Sequence, residues 1–262
     1  MDSNTEMQNN GINSSTLKIY ALVMMLFDHI SGVVLDSYLK VVTDYDTFLM
    51  VKNISSVFRG IGRIAFPIFC YQLVVGTRYT KNIKKYIFNL FLFSLISEIP
   101  FNLAFCNSLF GPTMQSVYIT LLLGAVMIFV LNHIKEGPFS LYIKLCIVFI
   151  FCMMGFYLKT DYGFAGVALI AAFYFFIDDR DKMVICVPII FITTYFIIKY
   201  IKIGDINQTI KITESESLSI LSMLLIMQDN GIRKGGKVLK WVGYSFYPVH
   251  LLILYFIRTL IM

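Results

Sequence analysis

From Leu17 to the C-terminus, apolar residues come in long runs separated by short polar breaks. A helix rises about 1.5 Å per residue and the hydrocarbon of a bilayer is about 30 Å thick, so a run of about 20 apolar residues crosses it. Lipid offers no partner to backbone amides and carbonyls, so such segments must be helical. Nine runs meet this description, at 17–35, 57–76, 86–106, 116–134, 139–157, 162–178, 183–200, 213–228 and 242–261. The pattern predicts an all-α, polytopic transmembrane bundle. The eighth run is the weakest, diluted by Ser215, Glu216, Ser217, Ser219 and Ser222. A re-entrant segment there would reverse the direction of the last helix. The opening polar stretch, residues 1–16, reads as a disordered tail, leaving 17–262 as the membrane domain. Asp28 and His29 interrupt the first run where the core of a cleaved signal would be purely apolar, so that run is expected to be a retained span.

Composition agrees with this pattern. Of the 262 residues 58% are hydrophobic and only 15% charged, with a mean hydropathy of +0.75, more apolar surface than a water-soluble fold uses. The net charge of +6 does not indicate nucleic acid, because the basic residues are scattered in short clusters between the runs. Those clusters orient the chain. Arg78, Lys81, Lys84 and Lys85 follow the second run, Arg180 and Lys182 precede the seventh, and Arg233, Lys234, Lys237 and Lys240 precede the last. With nine spans all lie on one face, which the positive-inside rule makes cytoplasmic, together with the N-terminus. Lys199, Lys202 and Lys211 run against the bias. The five cysteines fall in or beside apolar runs without CxxC or Cys/His spacing, so neither a disulfide framework nor a metal site is expected.

Ionisable residues inside the runs are the candidate chemistry, since each costs at least about 2.5–3.5 kcal/mol at mid-bilayer unless it has a partner, a wet cavity or a function. The candidates are Asp28 and His29 in the first run, Arg59 and Arg63 in the second, Glu98 in the third and His250 in the last. Arg59 and Arg63 are four residues apart, hence on one helix face, where like charges repel unless acids or an anionic ligand face them; Asp28 and Glu98 are the natural counter-charges. A static ion-pair network joining the first helices would explain the same residues, and Gly60 and Gly62 would permit the close approach it needs. Asp28 and His29 point about 100° apart around a helix, so one can meet an arginine while the other faces elsewhere. Pro100 after Glu98 and Pro248 before His250 predict helix distortions. Asp161 falls in a short turn and is a possible additional site residue, as is His250. Arg78, Lys81, Lys84 and Lys85 suit anionic lipid headgroups or a phosphorylated ligand. No phosphate loop, dinucleotide fingerprint, HExxH or GxSxG occurs.

Seven blocks in order carry a resemblance: LKIYALVMMLFDHISGVV at 17–34, FRGIGRIAFPIFCYQLVVGTRYTKNIKKY at 58–86, LISEIPFNLAF at 95–105, QSVYITLLLG at 115–124, DYGFAGV at 161–167, DNGIRKGG at 229–236 and YSFYPVHLLILY at 244–255. Together they resemble the TraX family, named for the factor that N-acetylates conjugative pilin. Ser116 and Ile119 stand where Asn and Phe are expected. The resemblance implies a bacterial inner-membrane acetyl- or acyltransferase that uses acetyl-CoA or another acyl-CoA as donor. It also places the family's charged positions at Asp28, His29, Arg59, Arg63, Glu98, Asp161 and His250.

With that chemistry the residues suggest a mechanism. CoA phosphates would rest on Arg78, Lys81, Lys84 and Lys85, and His29 or Asp28 would take a proton from an amine or hydroxyl acceptor. Arg63 or Arg59 would stabilise the oxyanion, with Glu98 holding the arginine. The acceptor could be a protein N-terminus, a peptide, a glycan or a small molecule, reached from the far side of the membrane. A secondary transporter with a midplane Asp/Glu/Arg site is the competing class, although no inverted repeat is visible. A non-catalytic assembly scaffold is a third.

Overall fold

The computed structural model describes residues 11–111, 114–232 and 236–262; these are all-α, with 80% helix and no strand. Residues 1–10 of the expected tail, and Arg233 and Lys234 of the expected inner loop, lie outside the described residues. The first helix, α1, spans Ser14–His29, starting three residues before the apolar run because the Asn13 side chain accepts the N–H groups of Ser15 and Thr16, both at 3.0 Å. It continues as a π-helical segment, Ile30–Leu35, and one last turn, Asp36–Tyr38. There follow α2 Tyr45–Gly62, α3 Ala65–Tyr79, α4 Ile83–Cys106, α5 Val117–Leu131, α6 Ser140–Tyr157, α7 Gly163–Phe176 and α8 Arg180–Ile203. The chain ends with α9 Ile206–Ser217, a 3-10 turn at Leu218–Leu221, α10 Ser222–Ile226 and α11 Lys237–Ile261.

Two departures from the apolar pattern have local causes. Asp44 caps α2 by accepting the Thr47 N–H at 2.8 Å, so helix begins at Tyr45 rather than near 57. The same stretch then breaks at Arg63 and Ile64. Pro67 has no N–H to return to the Arg63 carbonyl, and it is accommodated in the first turn of α3, where that donor is not needed.

Among the described residues, six helices are long and apolar enough to cross a membrane: Ser14–Tyr38, Tyr45–Tyr79, Ile83–Cys106, Ser140–Tyr157, Arg180–Ile203 and Val238–Ile261. The sequence pattern predicts nine runs, and six of the described helices meet the length and hydropathy of a span. α5 and α7 are apolar but only 15 and 14 residues long, short of the ~20 a bilayer asks of a straight helix. The serine-diluted eighth segment is three short helical pieces. Large apolar side chains such as Phe88, Leu95, Phe149, Ile185 and Ile189 stand exposed along the long helices. That surface needs lipid around it.

The chain divides into two units. The first comprises the residues up to Phe69, Pro100–Leu109 and Ser215–Met262. Within it α1 and α2 run antiparallel, Asp28 lying against Gly62 and Ser31 against Ser55. α11 runs parallel to α1, the Lys18 side chain crossing Gly243 near one end and His29 meeting His250 further along. Backbone bonds hold that end, Ser14 N–H to Ile232 O at 3.2 Å and Asn230 N–H to Ile12 O at 3.0 Å. At the far end Arg258 donates to the carbonyls of Ala104 (2.7 Å) and Leu103 (3.2 Å) and to Asn107 Oδ1 (2.8 Å), satisfying the last carbonyls of α4.

The second unit, Cys70–Ile99 and Phe110–Glu214, is built around α7. That helix is buried on nearly every face and packs on α5, α6 and α8. Glycines set two of these contacts: a Cβ at Gly124 would collide with Ile170, and one at Gly155 would stand 2.8 Å from the Gly163 carbonyl.

Candidate functional site

Within the first unit three irregularities of helical backbone surround one group of ionisable side chains. They are the π segment after His29, the break at Arg63 and Pro248, which leaves the Tyr244 carbonyl without its helical donor. Irregular backbone at membrane depth is tolerated only where protein or a wet cavity receives the released groups.

Arg59 of α2 pairs with two carboxylates, Asp36 (Nη2 to Oδ2, 2.9 Å) and Asp28 (Nη1 to Oδ1, 3.4 Å). The π segment makes this possible. Asp28 and Asp36 are eight residues apart, which in regular helix turns them about 80° from each other. One extra residue in the winding brings them back to within about 20°, so both reach the same guanidinium. The network extends further: Ser55 Oγ donates to Asp36 Oδ1 at 2.9 Å, and buried Ser31 Oγ, which donates to the Ser55 carbonyl oxygen at 3.1 Å, lies 2.7 Å from Ser55 Oγ. Gly32 and Gly62 leave the room, since a Cβ at Gly32 would lie 2.7 Å from Arg59 Nη2 and one at Gly62 would run into Asp28.

Arg63, on the broken turn, places Nε 3.3 Å from Oε2 of Glu216, whose side chain is 2% exposed. Within the first unit Asp28 and Asp36 meet Arg59 and Glu216 meets Arg63; the sequence nominated Asp28 and Glu98. Glu98 belongs to the second unit, where its Oε1 accepts the Ser116 N–H at 2.9 Å at the start of α5, the favourable end of a helix for a carboxylate. Glu216, which interrupts an apolar run in the sequence, is the carboxylate against Arg63 within the first unit.

His29 faces the other way, as the 100° offset from Asp28 requires. It is 6% exposed, and its Nδ1 lies 2.6 Å from Nε2 of His250, itself 4% exposed. The rings are 7° from parallel with centroids 4.9 Å apart, nearly the N···N distance plus the two ring radii. The imidazoles therefore meet edge to edge in one plane rather than face to face. Phe105 and Tyr247 stand edge-on to His29 at 5.7 and 5.6 Å. Arg59 and Arg63 are electrostatic neighbours of the His29 ring.

Five of the predicted residues, Asp28, His29, Arg59, Arg63 and His250, thus share the first unit, joined by Asp36 and Glu216. Asp161 is exposed in the turn before α7, in the second unit. So are the basic residues. Arg78 is held in a two-pronged bridge to Asp178, at 2.5 and 2.6 Å, and this hydrogen bonding draws the Asp178 carboxyl below its ordinary pKa. Lys81, Lys84 and Lys85 are exposed. No group of three or more His, Cys, Asp or Glu able to hold a metal occurs among the described residues.

Six long apolar helices among the described residues, with exposed apolar side chains along them, define a multi-pass membrane protein. The chain belongs to the TraX family, whose model, described as TraX protein, matches residues 13–258. Neither a curated protein nor a solved structure matches it.

Proposed function

We propose that the protein is an integral-membrane acyltransferase of the bacterial plasma membrane, moving an acetyl or other acyl group from acyl-CoA to an amine or hydroxyl acceptor. The observation that carries this reading is a buried imidazole, His29, bonded in plane to a second imidazole, in the same unit as two arginines. Neutral imidazole is the side chain best suited to take a proton from an acceptor near neutral pH, and a guanidinium suits the oxyanion formed when that acceptor attacks a thioester. Acceptor N–H or O–H gives its proton to His29 and its electron pair to the thioester carbon. The C–S bond then breaks and the proton passes to the departing thiolate, giving acylated acceptor and free CoA. Arg59, held by two carboxylates, is the less mobile cation. Arg63, on the broken turn, is the proposed oxyanion partner.

The topology proposed with this function has nine crossings with the N-terminus inside. Parallel packing of α1 and α11 supports it, because an even number of crossings between their starts is needed to put both on one face. A re-entrant eighth segment would make that number odd. Lys81, Lys84 and Lys85 are proposed to bind the donor's phosphates, Arg78 being engaged by Asp178.

The test is to incubate purified protein in nanodiscs with acetyl-CoA and a set of acceptor extracts, and to look for a mass gain of one acetyl group. Wild type is expected to transfer and His29→Ala to lose about 10²-fold or more. Full transfer by His29→Ala would remove His29 as the base. Uptake of a solute into vesicles without an acyl donor, and no CoA release, would favour a transporter.

A further inference from the structure

The contacts of His250 decide which nitrogen of His29 is available for chemistry. His250 Nδ1 lies 2.6 Å from the carbonyl oxygen of Phe246, one turn earlier in α11. A carbonyl only accepts, so His250 Nδ1 carries the hydrogen and, with one proton per ring, its Nε2 carries the lone pair. That lone pair faces His29 Nδ1 at 2.6 Å in the shared ring plane, so His29 Nδ1 is the donor. The remaining nitrogen, His29 Nε2, is left unprotonated.

We propose that His250 is a positioning residue which, anchored by the Phe246 carbonyl, fixes His29 in the Nδ1–H tautomer and presents Nε2 as the base. This rests on the acyl-transfer reading for its chemistry but not for its geometry. When Nε2 takes the acceptor's proton, the Nδ1 proton can pass to His250 Nε2, moving the positive charge one ring away from the reacting centre. The return transfer restores both rings as a proton leaves Nε2 for the thiolate. Second-partner bonding of this kind sets which imidazole nitrogen reacts in many sites. The charged groups with an electrostatic effect on His29 are Arg59 of α2 and Arg63 on the turn that follows it; the titratable group that meets it from α11 is His250 itself.

The measurement is ring ¹⁵N NMR of the full chain in nanodiscs with ¹⁵N-labelled histidine, His133 serving as an exposed reference and assignments made by single substitution. A lone-pair nitrogen and an N–H nitrogen are resolved by their shifts. His29 and His250 are both expected as Nδ1–H tautomers. An Nε2–H tautomer at His29 overturns the proposal. As a second arm, His250→Gln keeps a carbonyl oxygen able to accept from His29 Nδ1–H and should hold the tautomer and most of kcat. His250→Leu should mix the tautomers and lower kcat by about 10²-fold with little change in KM for acetyl-CoA. Equal losses in Gln and Leu, with the tautomer unchanged in both, also overturn it. Expected tautomers without CoA turnover would defeat the acyl-transfer reading while leaving the positioning role standing; turnover with the opposite tautomer would do the reverse.

Discussion

The bridge between Arg63 and Glu216 separates adhesive and catalytic readings of the arginines. Glu216 is almost wholly buried and Arg63 is 22% exposed, with Nε and Oε2 3.3 Å apart. At an effective dielectric constant of about 20, opposite charges at that spacing attract by about 5 kcal/mol, and desolvation offsets much of it. Breaking the pair from one side leaves a buried charge without that partner. Glu216→Leu or Arg63→Met alone should therefore cost about 3–5 kcal/mol, and the double substitution should recover most of the loss. The assay is SDS-titrated unfolding in mixed micelles for all four proteins, with CoA release measured on the same preparations. If the losses simply add, with a coupling below about 0.5 kcal/mol, the pair is not the unit described here. The double variant is expected to fold yet remain about 10²–10³-fold slow, the effect of losing an oxyanion donor. Recovery of both stability and rate would leave Arg63 as structural glue.

Other outcomes follow from specific contacts. Gly62→Ala should destabilise by about 1–3 kcal/mol because its methyl meets the backbone and Cβ of Asp28, whereas Gly32→Ala meets only side-chain atoms, the guanidinium of Arg59, and should cost less; paired SDS unfolding curves read the difference. Replacing Lys81, Lys84 and Lys85 together by Gln should raise KM for acetyl-CoA with kcat little changed, and more so at low salt, which steady-state kinetics at two ionic strengths would show. Asp178 has a carboxyl depressed below its ordinary value of 3.8, so its bridge to Arg78 adds stability above that pH and loses it as pH falls through the lower, folded-state value. At 75% exposure the bridge is worth less than about 1 kcal/mol, so the small Tm gap between wild type and Asp178→Asn should close on acidification below about pH 4.

Much of this site could be read along the chain, and the remainder depended on winding and distance. Asp28, His29, Arg59 and Arg63 were recognisable because an ionisable residue in an apolar run demands an account, and the 100° offset of Asp28 from His29 already sent them to different neighbours. The partner of His29 was not, since His250 lies 221 residues away. Asp36 was hidden by the π segment, which no hydrophobic period records: in regular helix it would be turned about 80° from Asp28. Glu216 escaped notice because its serine-rich surroundings and the neighbouring Glu214 lowered the apolar signal. The helix starts at Ser14 and Tyr45 were set by Asn13 and Asp44, capping residues that precede the apolar pattern.

The most direct measurement of the central claim is release of free CoA from acetyl-CoA labelled in its acetyl group, by protein reconstituted in liposomes with an acceptor extract. The account predicts CoA release matched mole for mole by label on an acceptor, with both lost in His29→Ala. Label that crosses the bilayer as a solute, with no CoA freed, would contradict it.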